Sequence, residues 1–191
     1  MQCFDLRAVD SYWRNRARQA MSASMYANPH NRGAVVNRLD CVILGAAEID
    51  RAFAVNVTTG SNGVILGGSG GHADTAAGAK LAIVTTRLTA GGHAKVVEQA
   101  RTVSTPGASI DVLVTEEGIA VNPARGELRQ RLGSHGLPVV EINELEVRAA
   151  AQGRTRAPIN RAGRRRGPPV MVLIDPPVVW RSRDPLASAK H

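Results

Sequence analysis

The feature that most constrains this chain is a glycine-rich stretch between residues 60 and 81. An apolar triplet, residues 64–66, leads into four glycines around Ser69, and a segment of small residues, 73–79, follows. Glycines tolerate positive φ and leave room for a ligand at the backbone, and the first N–H groups of a helix attract negative charge. The stretch therefore predicts a strand, a helix and, between them, an anion-binding loop made of Gly67, Gly68, Ser69, Gly70 and Gly71.

Three other interpretations of this glycine-rich stretch match its sequence to different degrees. A phosphate-binding P-loop needs a glycine, four residues and then Gly-Lys-Ser/Thr, but Lys80 is followed by Leu81 and the position five before Gly78 is Ala73. That motif is excluded. A serine nucleophile elbow needs Gly-x-Ser-x-Gly, which residues 67–71 satisfy, and His135 and several acids follow downstream. A tight turn that packs a helix against a strand is the third possibility.

Length and composition fit one globular domain followed by a tail. The chain has 191 residues, 43% of them hydrophobic, which is enough for a buried core. It contains no run of 18 apolar residues, and its first residues lack the apolar segment of a signal peptide, so we expect a cytoplasmic protein without a membrane span. Cys3 and Cys41 have no partners at metal-ligand spacing, so we expect reduced thiols and no metal site.

The net charge of +8 is concentrated near the C-terminus. Residues 1–147 carry 14 basic and 14 acidic side chains, whereas residues 148–191 carry ten basic and two acidic ones. A basic, proline-rich segment is typical of solvated chain, and few aromatic residues lie near the basic clusters to stack on single strands. We therefore expect a folded domain at residues 1–152, a basic tail at 153–191, and no nucleic-acid partner.

Strand and helix patterns alternate along the domain. The predicted helices cover residues 5–20, 125–132 and 142–152, and the predicted strands cover residues 41–49, 53–57, 81–86, 111–115 and 119–121. This alternation favours an α/β layered domain with a mostly parallel sheet flanked by helices. In such sheets ligands bind where strands end and helices begin, which again indicates the glycine loop.

Several short segments are together similar to one known family. They include residues 2–6 (QCFDL), 22–29 (SASMYANP), 59–65 (TGSNGVI), 70–81 (GGHADTAAGAKL), 111–115 (DVLVT) and 118–123 (GIAVNP). Over nearly all of residues 1–150 the chain resembles the C-terminal part of the citrate lyase alpha chains, which are citrate CoA-transferase subunits. The resemblance implies the fold of the class I CoA-transferases. It also implies the reaction of acetyl-[acyl-carrier protein] with citrate, which gives acetate and citryl-[acyl-carrier protein].

The same resemblance implies a hetero-oligomer and a cofactor held by a partner. The partners would be a lyase beta chain and an acyl-carrier gamma chain that bears a CoA-like phosphoribosyl-dephospho-CoA arm. The family's alpha chains are much longer, and in related CoA-transferases the attacking glutamate lies before the glycine loop. We therefore expect the nucleophile to lie upstream of Met1, and the chain to be a truncated product that is inactive in isolation. The resemblance fades beyond about Gln152.

Four side chains around the loop are the candidates for function. Glu48 is the only acid shortly before the loop, and it is either catalytic or a surface carboxylate at a strand end. His72 and Asn62 could contact substrate or the prosthetic arm, with helix capping and turn formation as the alternatives. Asp74 could do the same or interact only with the helix dipole. Four functions stay open: a transferase subunit, a non-catalytic half-site for the CoA-like arm, an assembly remnant, and a serine hydrolase that uses Ser69.

Overall fold

The computed structural model describes residues 6–18, 20–28 and 30–153. Cys3 and all but the first residue of the predicted tail lie outside the described residues. The α-helices of the described part are α1 (Leu6–Arg14), α2 (Ala23–Ala27), α3 (His72–Gly78), α4 (Gly126–Ser134) and α5 (Ile142–Gln152). None of them is long and apolar enough to cross a lipid bilayer.

The strands form one main sheet and two smaller ones. They are β1 (Cys41–Gly45), β2 (Glu48–Asp50), β3 (Val55–Asn56), β4 (Leu81–Thr85), β5 (Thr89–Ala90), β6 (His93–Ala94), β7 (Val96–Val97), β8 (Val112–Thr115) and β9 (Gly118–Val121). The main sheet has the order β1-β4-β8-β9, the second has the order β3-β2-β7, and β5 pairs with β6. Strands β1, β4 and β8 run parallel, and β9 is antiparallel to β8. The predicted α/β fold with a mostly parallel sheet is therefore confirmed.

Alternating burial shows how β4, an inner strand of the main sheet, packs on the core. Ala82 and Val84 are fully buried on one face, between partly exposed neighbours. This period of two is the period at which strand side chains change faces. Helix α5 follows the helical period of 3.6 residues. Its buried residues are Ile142, Leu145 and Ala149, at spacings of three and four, so one helical face packs on the core.

The main core lies between the sheets and α5. Its larger buried side chains are Ile49, Phe53, Val55, Val84, Leu88, Val96, Ile110, Leu113 and Leu145. A second, smaller cluster contains Ala27, Ala34 and Val36 and lies where α2 meets a 3-10 helix, Val35–Arg38. It packs on α3, because a Cβ at Gly78 would come within 2.6 Å of Val36. The helix that follows the glycine loop is thereby fixed in place.

Two sequence predictions about strands are wrong. Residues 64–66 do not form a strand of either large sheet. Ile65 makes a single bridge to Thr59, and the three side chains are exposed, because a turn at residues 60–63 folds this segment back on the chain just before it. The predicted strand 41–49 is two strands in different sheets, since the chain breaks after Gly45 and β2 pairs with β3 and β7.

Candidate functional site

The glycine loop is an open surface feature of the described chain. Residues 67 to 70 are exposed and have no regular secondary structure. A Cβ added at Gly67 or Gly68 would meet no atom within 4 Å, whereas Gly70 has a φ of +56° that favours glycine. Among the described residues, none of the backbone N–H groups of residues 67 to 71 donates to another protein group. The loop therefore presents a set of accessible backbone donors.

Helix α3 begins directly behind the loop. Gly71 occupies its N-cap position without a side-chain cap, and its carbonyl oxygen accepts hydrogen bonds from the backbone and the hydroxyl of Thr75. Thr75 and the two alanines after it are buried against the domain. The helix is only seven residues long, so its dipole is small. The loop amides are the more substantial source of positive potential here.

His72 fixes the start of α3 to the rest of the domain. Its Nε2 lies 3.0 Å from the carbonyl oxygen of Gly45, and its Nδ1 lies 2.6 Å from Oγ1 of Thr105. A carbonyl oxygen only accepts, so Nε2 carries the proton and Nδ1 accepts from the threonine hydroxyl. Burial lowers the pKa of His72, and the hydrogen bond to Gly45 opposes this shift. Both ring nitrogens are occupied within the protein, so the ring joins β1, α3 and Thr105.

Glu48 is fully buried, which corrects the expectation of a surface carboxylate. Its Oε2 accepts hydrogen bonds from the side chain of Asn56, at 3.1 Å, and from the backbone of Arg101, at 3.2 Å. Asp50 is buried as well, and its two oxygens accept three backbone N–H groups, those of Ala52, Ala54 and Ala100. A nucleophile must reach its substrate, whereas these two carboxylates organise the loops around β2.

The other two candidates lie at the surface. Asn62 is exposed, and its Oδ1 accepts the backbone N–H of Val64 at 3.0 Å, which is the contact of a turn residue. Asp74 lies in the first turn of α3. Partial burial raises the pKa of its carboxyl group, and nearby His30 opposes that shift. Binding of substrate or a prosthetic arm by Asn62, His72 or Asp74 stays a prediction.

The structure does not assemble the serine triad that the sequence allowed. His135 lies at the C-terminal end of α4, with its Nδ1 2.7 Å from the carbonyl oxygen of Arg131 in the same helix. The imidazole of His72, three positions after Ser69 in the sequence, contacts Gly45 and Thr105. Within the described residues neither ring contacts Ser69, so no general base is in place for its hydroxyl.

Sequence reasoning missed Thr105, which holds Nδ1 of His72 and is completely buried. It lies 33 positions after His72. No spacing rule joins two such distant positions, so only the fold reveals their contact.

Two grooves occur elsewhere on the domain. One, of about 410 Å³, lies beside the start of α4 and includes Lys80, Arg125, Glu127 and Arg131. The other, of about 390 Å³, lies between α5 and the segment 94–99. Neither of these two grooves is lined by the glycine loop, whose residues 67 to 70 are exposed.

Comparison with known proteins gives one consistent result. The profile of the family described as "Citrate lyase, alpha subunit (CitF)" matches residues 1–165. The citrate lyase alpha chain of Klebsiella pneumoniae is 53% identical over 148 residues, and that of Escherichia coli strain K12 is 50% identical over 149. Each of these matches covers 78% of this chain but only 29% of the relative. The chain thus spans less than a third of the relatives that it matches.

A solved structure has the same fold. It is the alpha subunit of citrate lyase from Streptococcus mutans in complex with citrate, and it superposes with a TM-score of 0.73 at 43% identity. The match covers 79% of this chain and 30% of that one. The sequence matches and the structural match thus cover 78% and 79% of this chain, respectively.

Proposed function

The chain belongs to the family of citrate lyase alpha subunits, and on that premise we propose that it forms part of a citrate CoA-transferase. In this proposal the complete subunit transfers the acyl-carrier protein, which is bound as a thioester, from an acetyl group to citrate. Acetyl-[acyl-carrier protein] and citrate give acetate and citryl-[acyl-carrier protein]. The observation that carries the proposal is the identity of about half of the residues to citrate lyase alpha chains over 148 and 149 positions.

The role proposed for this part of the subunit is to hold the reacting thioester at the glycine loop. Its support is that Gly67 and Gly68 face open space and that the N–H groups of residues 67 to 71 donate to no other group in the described protein. Acyl transfer passes through tetrahedral intermediates whose oxyanion requires donors about 3 Å away. A loop in which four of the five residues lack a Cβ suits that requirement.

The attacking carboxylate in this proposal comes from another part of the longer alpha subunit. A carboxylate nucleophile divides one difficult exchange into easier steps. Glu48 is unsuited to that role because it is fully buried and its Oε2 already accepts two hydrogen bonds. Glu116 is also committed, since both of its oxygens lie 3.1 Å from the backbone nitrogen of Leu88.

The proposed partners are a beta chain and an acyl-carrier gamma chain with its phosphoribosyl-dephospho-CoA arm. The arm, when bound, supplies the thiol that carries the acetyl or citryl group. The open space at Gly67 and Gly68 fits the approach of such a chain-like group. In this arrangement the loop amides bind the carbonyl oxygen of the thioester, and His72 keeps the base of the loop attached to β1.

A chimera tests whether these residues support transfer. Residues 1–153 of this chain would replace the matching segment of the Klebsiella pneumoniae alpha chain, assembled with its own beta and gamma chains. We expect citrate-dependent release of acetate from the acetyl-loaded gamma chain at a rate within about tenfold of the parent complex. A chimera that assembles normally but releases no acetate would contradict the proposal.

The substitution Gly67→Val in that chimera tests the loop itself. The position has open space and no positive φ, so the fold should tolerate the side chain while the approach to the loop is filled. We expect transfer to fall by about a hundredfold or more, as for loss of an oxyanion donor. Gly133→Val is the matched control, since Gly133 also faces open space but lies in α4. Equal transfer rates for both variants would indicate that the loop is only a packing turn.

If the complete subunit bound the CoA-like arm without turnover, the same chimera would distinguish that role. It would bind the loaded gamma chain and release no acetate.

A further inference from the structure

A cluster of polar and basic side chains lies just before the glycine loop, at a hairpin formed by residues 58 to 66. The backbone N–H of Gly60 donates to the carbonyl of Val64, and that of Gly63 donates to Gly60, both at 2.8 Å. Ser61 and Asn62 therefore form the tip of the turn. Two basic side chains, neither close to this hairpin in sequence, converge on Ser61.

Lys95 and Arg101 contact different atoms of the same serine. Nζ of Lys95 donates to Oγ of Ser61 at 3.2 Å, and Nη2 of Arg101 donates to its carbonyl oxygen, also at 3.2 Å. The guanidinium also packs on the turn, since a Cβ at Gly63 would lie 3.0 Å from its Nη1. All three side chains are partly buried, so they are held in place and not freely solvated.

The two cationic side chains of this cluster have no acidic side chain paired with them in the described part of the chain. Among the described residues, neither Lys95 nor Arg101 forms an ion pair with a carboxylate. Glu48 and Asp50 accept the backbone N–H groups of Arg101 and Ala100 from inside the domain. Neither carboxylate forms an ion pair with the ammonium of Lys95 or the guanidinium of Arg101 in the described chain.

A buried donor of Arg101 is also without an acceptor. Its Nε is inaccessible to solvent and forms no hydrogen bond within the described protein. A buried donor without a partner costs free energy, so native structures nearly always supply an acceptor. Oγ of Ser61 accepts from Lys95, which leaves the hydroxyl hydrogen available to donate outward. The cluster therefore offers several donors and two cationic side chains outside any ion pair of the described residues.

We infer that Ser61, Lys95 and Arg101 form a binding site for an oxyanion that carries two or more negative charges. Guanidinium, ammonium and hydroxyl groups are the donors that carboxylate and phosphate oxygens prefer. Two sources share this chemistry: a polycarboxylate, or the phosphates of a CoA-like arm. The hairpin leads directly into Gly67, so the ligand would lie beside the loop. Only this placement rests on the proposed function, since anion binding is measured without transfer.

The test is a titration of the complete 191-residue chain, followed by amide and arginine Nε resonances in nuclear magnetic resonance spectra. The probes are citrate and inorganic pyrophosphate, with acetate as the singly charged comparison. We expect at least one multiply charged probe to shift the Nε–H signal of Arg101 and the amide of Ser61, and to bind more tightly than acetate. Citrate alone would identify a polycarboxylate site, and pyrophosphate alone would identify a phosphate site.

Variants then distinguish a specific binding site from general electrostatic attraction to a basic protein. Lys95→Gln and Arg101→Gln should each weaken binding by about tenfold, the typical effect of losing one charge-assisted hydrogen bond. Arg87→Gln is the matched control, because Arg87 is exposed outside the cluster and the charge change is the same. Ser61→Ala provides a variant that retains both cations if either glutamine variant fails to fold, and we expect it to weaken binding as well.

Several results would overturn the inference. One is the absence of any shift at Ser61 and Arg101 with both multiply charged probes, which the wild-type protein alone can reveal. Another is equal weakening by Arg87→Gln and the cluster variants, which would indicate non-specific attraction. Unchanged affinity in folded Lys95→Gln, Arg101→Gln and Ser61→Ala proteins would also reject the site. A failure of the transfer chimera with binding retained would reject the proposed function and leave this site intact.

Discussion

Buried carboxylates at β2 illustrate how single residues organise this domain. Asp50 receives three backbone N–H groups from two loops, which lie two to four positions away and fifty positions away. The first of these loops contains Phe53, whose φ of +62° is rare for a residue with a side chain. Asp50 therefore holds a strained turn closed and attaches it to the segment around Ala100.

Replacing Asp50 by asparagine should be strongly destabilising. The amide NH₂ would face an N–H donor, so at least one of the three hydrogen bonds is lost in a buried site. We expect the free energy of unfolding to fall by about 1–3 kcal/mol, the typical cost of an unsatisfied buried group. Urea denaturation measures it. Asp40→Asn is the control, because Asp40 pairs with Lys80 at the surface and should matter little. Similar losses for both variants would contradict this role.

His72 should make stability depend on pH. Burial lowers its pKa below the usual 6.5, so between those two values the unfolded chain binds more protons than the folded one. The contribution of His72 is therefore complete above pH 6.5 and is lost as the pH falls toward the lowered pKa. We expect urea denaturation to show a larger loss between pH 7.5 and pH 5.5 in the wild type than in His72→Gln. Equal losses would mean that His72 does not couple folding to protons.

The sequence predicted the helix that follows the glycine loop, but it did not predict the contacts of the polar residues around it. Glu48 was open to a surface interpretation because its neighbours in sequence do not reveal that β2 is central in a second sheet. The burial of this strand depends on β7, nearly fifty residues later. Long-range pairing of this kind leaves no local periodicity. The role of Thr105 was missed for the same reason.

Elements with strong periodicity were predicted well. Helix α5 begins and ends at the predicted residues, Ile142 and Gln152, because its apolar positions repeat at helical spacing and Gly153 follows. The strand predicted at residues 64–66 was wrong because three apolar side chains in a row do not distinguish a sheet strand from one arm of an exposed hairpin. The turn at residues 60–63 makes this segment one arm of an exposed hairpin.

Helix α5 should contribute its stability through one face. Leu145 is fully buried in the core, whereas Val147, two positions later, is 63% exposed. We expect Leu145→Ala to lower the free energy of unfolding by about 2–5 kcal/mol, through lost burial and the cavity left behind. Val147→Ala on the same helix should change it far less, since alanine also favours the helix. Comparable effects in urea denaturation would show that α5 is not docked as described.

At the scale of the whole molecule, the fold class followed from the alternation of strands and helices, and the family followed from short segments spread over most of the domain. The separate sheet of β3, β2 and β7 did not follow from the sequence, because each of these strands is only two or three residues long. Segments so short carry too few residues for an alternating pattern to be recognised. The residue-level site also needed the fold, since Ser61, Lys95 and Arg101 come together only in three dimensions.

The order of strands in the main sheet has a consequence for how the chain folds. Strand β1 pairs with β4 in a register that joins Cys41 to Leu81, so two positions forty residues apart must first be brought together by closing a long loop. Strands β8 and β9 are joined by a two-residue turn at Glu116 and Glu117. Hairpins of this kind form within microseconds, whereas distant parallel pairs form late.

We therefore expect the rate-limiting step to contain the β8–β9 hairpin and to lack the β1–β4 pair. In stopped-flow refolding, Val121→Ala in β9 should slow folding, while Val42→Ala in β1 should mainly accelerate unfolding. The opposite assignment would place nucleation at the parallel pair. If the expected order holds, the main sheet grows from its antiparallel edge, and β1 is the last strand added and the first to detach.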